Sequence, residues 1–413
     1  METLLGVLVV GLGGLIMGSG AWPFKLMKLY KFEHWWFVGM LVGLVVMPWA
    51  ITLIGCPGAT EWLGSLSGES LKAIALANVF AFGWGIANVL CGICFVRIGM
   101  ALTGAILAGL GVSVGSIVPL VFKGSGLFED APGIGSKAGI AVLVGVGVML
   151  CGVVLASLAG FGRDKALKKS ESTSGGFLGG LIMTVVAGVL STGTAFTFIY
   201  AQDPIVSRLS WVTPNASIEV RVKGEKEPRK CDVDAAGNIR LAEVGAVPVG
   251  GLRAIDAAGK IAGALPKAPG GAAPDVKVST GSIPATFGVF AVGLLAGAAV
   301  NLGYAAWLLT KNRSWGVIAS SGKELALALI IGVNFSIAVT LMGKGMLLLG
   351  ALGGSVGWGI QQAMQMTGSQ TVGFVSGEWR GVQGKPLKLM VAALAVLLVA
   401  AVILAYGNTL SKS

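Results

Sequence analysis

Charge is what this sequence has least of. Only 12% of its 413 residues are Asp, Glu, Lys or Arg, where soluble domains carry about 25%. It has a single histidine, His34, and no Asp or Glu near the middle of a long apolar run. That removes the carboxylate pair of an acid–base enzyme and the Ser/His/acid set of a nucleophilic one. A glycine-rich phosphate cradle ending in Lys-Ser or Lys-Thr is missing too. The five cysteines (Cys56, Cys91, Cys94, Cys151, Cys231) form no disulfide framework; Cys56 and Cys231 both fall in segments assigned outside the membrane, and the sequence does not show whether they pair. Cys91 and Cys94 lie inside an apolar run and read as small packing residues. Neither an enzyme nor a cofactor is expected.

What replaces charge is apolar surface. Hydrophobic residues make up 54% of the chain, and the mean hydropathy is +0.83. The runs are continuous rather than alternating, so they describe membrane helices and not a β-barrel. Sixty-six glycines suit helices whose backbones approach closely. The net charge of +11 comes from Lys and Arg gathered in short loops, which is the positive-inside pattern rather than a nucleic-acid footprint.

At about 20 residues per span, ten helices are expected. They run roughly over Leu4–Trp22, Trp36–Leu53, two within the Asn78–Gly111 stretch and its flanks that meet at Arg97, and Ala138–Gly160. The second half holds Leu178–Ala201, Phe287–Thr310, Leu325–Leu341, Ser355–Val375 and Leu389–Tyr406. The first is read as a retained helix. The second carries Gly39 and Gly43 in GxxxG spacing, and Pro48 is expected to kink it. The basic, flexible segment 162–176 marks a hinge between halves. Loops after odd-numbered helices carry fourteen basic residues, among them Lys25, Lys28, Lys31, Arg163, Lys168, Lys169, Lys311, Arg380 and Lys388. The alternate short loops and the tail carry five: Lys72, Lys123, Lys137, Lys344 and Lys412. The first set is assigned to the cytoplasm and both termini to the outside.

Residues 202–284 differ in composition and divide the chain into 1–201, 202–284 and 285–413. SIEVRVKG, KCDVDAAGNIRLAEVG and LRAIDAAGKIAGAL read as short strands with turns at Ala-Gly-Asn and Ala-Gly-Lys, and PKAPGGAAPD as a linker. A small β-rich module outside the membrane is expected, either a tolerated elaboration or a lid or binding unit.

The chemistry that remains is uncharged and polar. Trp358, Gln361, Gln365 and Ser369 recur every three or four residues and share one helix face, with Gln362 beside it. Trp84 and Asn88 are one turn apart, and Asn78 lies on a neighbouring face. Asn301 and Asn334 are placed to complete a cavity from two further helices. Amides beside an indole suit the hydroxyls and the C–H face of a sugar; the alternative for each isolated Asn is a hydrogen bond between helices. Lys344, near a helix end, reads as a snorkelling cation or as a charge lining a pathway.

Four stretches, AWPFKLMKLYKFEHWWFVG with MPWAI, FGWGIANVLCGICFVRIGMALTGAI, AVNLGYAAWLL and GEWRGVQGKP, resemble the L-rhamnose–proton symporter family, a branch of the drug/metabolite transporter superfamily. The resemblance touches most of the ten helices and stops across 202–282. It implies two inverted five-helix repeats in a bacterial inner membrane, taking up a deoxy sugar with a proton by alternating access. The helix with Gln361 and Gln365 offers amides where a proton-carrying acid belongs. The rival readings are a membrane receptor that binds its ligand through the insertion and a transporter of the same fold for another small metabolite.

Overall fold

An apolar run in lipid must satisfy its own backbone hydrogen bonds, which a helix does within one segment. Helix accordingly dominates the computed structural model, which describes residues 2–64, 68–98, 100–167, 177–223, 225, 228–267 and 272–411. The first half comprises α1 (Glu2–Ser19), α2 (Phe32–Met40), α3 (Met47–Gly55), α4 (Ala59–Gly64), α5 (Gly68–Ile98), α6 (Met100–Val121) and α7 (Lys137–Ala166). Then come α8 (Phe177–Leu190) and α9 (Gly193–Leu209). Beyond a small module with β1–β5 and α10 lie α11 (Ile283–Gly293), α12 (Leu295–Lys311), α13 (Gly322–Leu349), α14 (Trp358–Val375) and α15 (Lys385–Leu410).

Among the described residues, seven helical stretches are long and apolar enough to cross a membrane, or eight with α11 and α12 counted as one span bent by 59°. Ten were expected. The difference lies in α6 (Met100–Val121), whose described side chains give an uninterrupted apolar stretch only over Ile106–Val121, and in α14, which is diluted by Gln361, Gln362, Gln365 and Gln370.

Several helices are broken, each with a local cause. Pro48 has no N–H to give the preceding turn, and a π-helical turn at Leu41–Val46 separates α2 from α3. The expected single helix over 287–310 breaks at Leu294, where Asn78 of α5 takes up the freed backbone groups. Its Nδ2 donates to Val292 O at 3.0 Å, and Ala296 N donates to its Oδ1 at 2.9 Å. Gly39 and Gly43 meet Gly332 of α13; a Cβ at Gly332 would lie 2.6 Å from Gly39 O. The GxxxG spacing therefore does mark a close crossing.

Neighbours recur in matched pairs. α1 lies against α13 and α14, as α8–α9 lies against α5 and α6; α2 packs on α13, as α12 packs on α5. α7 runs along α15, α6 adjoins α7, and α14 adjoins α15. The basic loops share one end. Lys25 pairs with Glu378, which also takes Arg163 at 3.2 Å. The Glu324 carboxylate accepts the backbone N–H groups of Lys28 (2.9 Å) and Tyr30 (2.7 Å).

The module occupies the opposite end. β1 (Ser217–Val222) is flanked by β2 (Arg229–Asp232) and β5 (Val276–Ser279), both antiparallel, with Ile218 opposite Cys231 and Val220 opposite Val278. β3 (Asn238–Leu241) and β4 (Gly245–Pro248) form a hairpin. The stretch LRAIDAAGKIAGAL, expected as strand, is instead α10 (Ala254–Ala264). Ala254, Ala257, Ala258 and Ile261 are its buried residues at helical spacing, and Ala258-Gly259-Lys260 is not a turn. The division at residue 202 also moves, because α9 continues to Leu209 and the first strand begins at Ser217. Cys56 and Cys231 are both free thiols. The hinge over 162–176 is described only to residue 167. Residues 268–271 of the linker and Lys412 lie outside the described residues.

Candidate functional site

Where α1, α2, α5, α13 and α14 converge with the α8–α9 break, they enclose a cavity of about 320 Å³, at the small end of the range for small-molecule sites. α5 contributes Trp84 and Asn88; α14 contributes Trp358, Gln361, Gln362 and Gln365. α13 presents an apolar wall from Ile331 to Met342, α2 adds Trp35 and Trp36, and the α8–α9 break adds Ser191 and Thr194. No lining side chain ionises.

The indoles are held in place. Trp358 Nε1 donates to Gly111 O at 2.9 Å, and the Trp84 ring stacks on Phe335 with centroids 5.9 Å apart. The amides are only partly satisfied. Gln361, 2% exposed, donates through Nε2 to Gln365 Oε1 at 3.1 Å, while its own Oε1 has no partner. Thr194 Oγ1 is likewise buried without one. A buried polar atom left unpaired costs about 1–3 kcal/mol, and these two belong to cavity-lining residues of α14 and α9.

Of the residues picked out from sequence, Trp84, Asn88, Trp358, Gln361 and Gln365 line this cavity together. The other four stand apart from it. Asn78 braces the α11–α12 break. Asn301 is fully buried behind the wall, accepting from Asn88 Nδ2 at 3.2 Å and donating to Gly297 O at 2.8 Å. Asn334 holds the end of α1 by donating to Gly20 O at 3.1 Å. Ser369, one turn beyond Gln365, is exposed. Sequence reasoning missed Trp35, Trp36, Ser191 and Thr194. The Trp-Trp pair after a basic loop reads as an interfacial belt, and the run Ser191-Thr192-Gly193-Thr194 was the overlooked sign of a helix break.

A second cavity, of about 960 Å³, lies between the module and the bundle, with Gln202, Asp203, Arg221, Lys277 and Lys344 among its walls. Lys344 Nζ donates to Gly281 O at 2.8 Å. Along α9, Thr194 faces the first cavity and Gln202 the second, eight residues or about 12 Å away. Between them sits a buried layer of Phe128, Phe198, Ile199, Phe290 and Met346, in which Phe198 stacks on Phe290 at 5.5 Å.

Residues 3–213, from α1 through α9, match the family described as L-rhamnose-proton symport protein (RhaT). The L-rhamnose-proton symporter of Yersinia pestis bv. Antiqua (strain Antiqua) is 30% identical over 182 residues, 44% of this chain and 50% of that protein. Those of Yersinia pestis (strain Pestoides F) and Yersinia pseudotuberculosis serotype IB (strain PB1/+) match to the same extent. The chain spans about half the length of the curated relatives it matches.

Proposed function

The chain belongs to the L-rhamnose–proton symport family, and on that premise we propose that it is a secondary transporter moving a rhamnose-like monosaccharide across a bacterial cytoplasmic membrane by alternating access, coupled to protons. The observation that carries this is the uncharged cavity in which amides and indoles converge. Asn88, Gln361 and Gln365 hydrogen-bond sugar hydroxyls, Trp84 and Trp358 cover the C–H face, and the unpaired Gln361 Oε1 and Thr194 Oγ1 gain partners. The buried Phe198–Phe290 layer closes the module side of the cavity in this conformation.

The architecture proposed is ten spans in two inverted halves: α1, α2–α3, α5, α6 and α7, then α8–α9, α11–α12, α13, α14 and α15. Five spans per half invert the second half relative to the first. The matched neighbours support it, since α1 stands to α13 and α14 as α8–α9 stands to α5 and α6. The basic end is cytoplasmic; the module and both termini are outside.

The test is uptake of a panel of labelled sugars, L-rhamnose among them, into proteoliposomes with and without an inward proton gradient. Accumulation that needs the gradient is the expected result. Equilibration alone would remove the proton, and the absence of sugar flux in a folded sample would overturn the transport reading.

A further inference from the structure

Nothing lining the sugar cavity titrates, yet proton coupling requires a group in the pathway that does. Glu33, Asp164 and Glu324 each lie within three residues of the end of a candidate span. Among the described residues, Asp203 is the carboxylate set farthest into one, six residues before the end of Leu178–Leu209. It lines the module-side cavity, one side-chain layer away from the sugar cavity.

Its partner comes from the module. Lys277 of β5 stands between two carboxylates, with its Nζ 3.6 Å from Asp203 Oδ2 and 3.5 Å from Glu129 Oε2. Glu129 belongs to the 3₁₀ turn Gly126–Asp130 after α6, and that turn lies directly on Asp203: a Cβ at Gly126 would be 2.6 Å from the Asp203 Cβ. Next to this contact, Arg221 of β1 reaches Asp130 at 3.6 Å. Asp275, just before β5, is the other charge acting on Asp203. On its own helix Arg208 turns back to Pro204 O at 3.3 Å. Glu219, Arg221, Lys230 and Lys344 stand around the same cavity. Of the elements packed along α9, α11 is uncharged, and Glu61 of α4, Lys72 of α5 and Asp256 and Lys260 of α10 do not bear on Asp203.

We propose that Asp203 binds the coupling proton and that the module is the gate it controls, an inference that rests on the transport reading above. With Asp203 charged, Lys277 ties β5 to α9 and to the turn after α6, and the module stays down over its cavity. A proton from the outside water adds to an Asp203 Oδ, and no other bond breaks. Lys277 then keeps only Glu129, and β5 loses its direct tie to α9, which loosens the module on its seat. The sugar enters, the module closes, and the proton leaves toward the sugar cavity when the Phe198–Phe290 layer parts. At the opposite end Lys25 with Glu378 ties a loop of the first half to one of the second, as Lys277 with Glu129 does here.

The variant Asp203→Asn tests this in proteoliposomes with labelled L-rhamnose, or whichever sugar the wild type accumulates. At one proton per sugar, one pH unit of inward gradient drives about tenfold accumulation. Asp203→Asn should lose that accumulation while sugar–sugar exchange persists near the wild-type rate. Accumulation retained by the variant would overturn the proposal. So would loss of exchange with sugar binding intact, measured by tryptophan fluorescence. Absence of flux in the wild type would instead strike the transport reading. The gate has its own readout, backbone hydrogen exchange at Val276–Ser279. Corrected for intrinsic rates, it should quicken in Lys277→Met and, in the wild type, on acidification. Exchange indifferent to both would overturn the gate.

Discussion

Asn88 on α5 donates its side-chain amide to the side-chain oxygen of Asn301 on α12, 3.2 Å away, while Asn301 anchors itself on Gly297 O at 2.8 Å. The buried residue thus decides which way the cavity residue faces, and on the proposed reading the Asn88 carbonyl oxygen is the group left for a sugar hydroxyl. If the cavity holds the sugar as proposed, Asn301 is a positioning residue that acts through Asn88.

Asn301→Ala should therefore weaken binding without abolishing transport. A hydrogen bond between membrane helices is worth about 0.6 kcal/mol on average, or about threefold in affinity. Asn88→Ala should cost more, and the double variant no more than Asn88→Ala alone. Transport KM across the three variants checks this; additive effects would separate the two residues.

Asn78 makes a contrasting case. Its replacement by Leu strands Val292 O and Ala296 N at the break between α11 and α12, at about 1–3 kcal/mol for each group. The expected outcome is a lower melting temperature in detergent, with sugar affinity of the folded fraction unchanged. A selective loss of affinity at unchanged stability would place Asn78 in the binding site instead.

These two asparagines show what was legible in the sequence. Each is an isolated amide in an apolar run, and composition alone does not separate a brace from a binding group. Of the stripe Trp358, Gln361, Gln365 and Ser369, helical period brought the first three to the cavity, but it could not show that Ser369, on the same face, lies beyond the cavity's end. Trp35 and Trp36 were not, since their place at the cavity depends on a loop fastened 296 residues away, where Glu324 accepts the Lys28 N–H. Asp203 was hidden by the boundary set at 202, which assigned it to the insertion. In the module, alternation suggested strands where buried Ala254, Ala257, Ala258 and Ile261 make a helix.

Acid should loosen part of the module. The Asp234 carboxylate accepts Asn238 N–H at 2.8 Å, and Glu243 accepts from Arg229 at 2.8 Å; both acids are held below their ordinary values by these bonds. A lowered folded pKa adds stability above the unfolded value and loses it as pH falls through the folded one. Protection of the β3–β4 amides should be level from pH 8 to 5 and fall below about pH 4. Loss already at pH 6 would exclude these two acids as the cause.

Cys56 tests burial at the edge of the bundle. It is 1% exposed, and burial pushes its thiol up to about 11, so almost none is thiolate at pH 7.5. N-ethylmaleimide should leave Cys56 unmodified in the native protein and label it after denaturation. Rapid native labelling would mean that the α3–α4 corner opens.

Gly115 gives the sharpest check on the cavity itself. A Cβ there would lie 2.1 Å from Trp358 Nε1, the atom that donates to Gly111 O at 2.9 Å. Gly115→Ala must therefore drive the indole from its seat, whereas Gly303→Ala on α12 meets nothing within 4 Å. Aromatic contacts add about 0.5–1.5 kcal/mol beyond buried area, so losing the ring's alignment should lower sugar affinity by up to about tenfold. Both proteins should fold, which their melting curves would establish. If Gly115→Ala binds sugar as tightly as Gly303→Ala does, Trp358 is packing for the bundle and the sugar face lies elsewhere on α14.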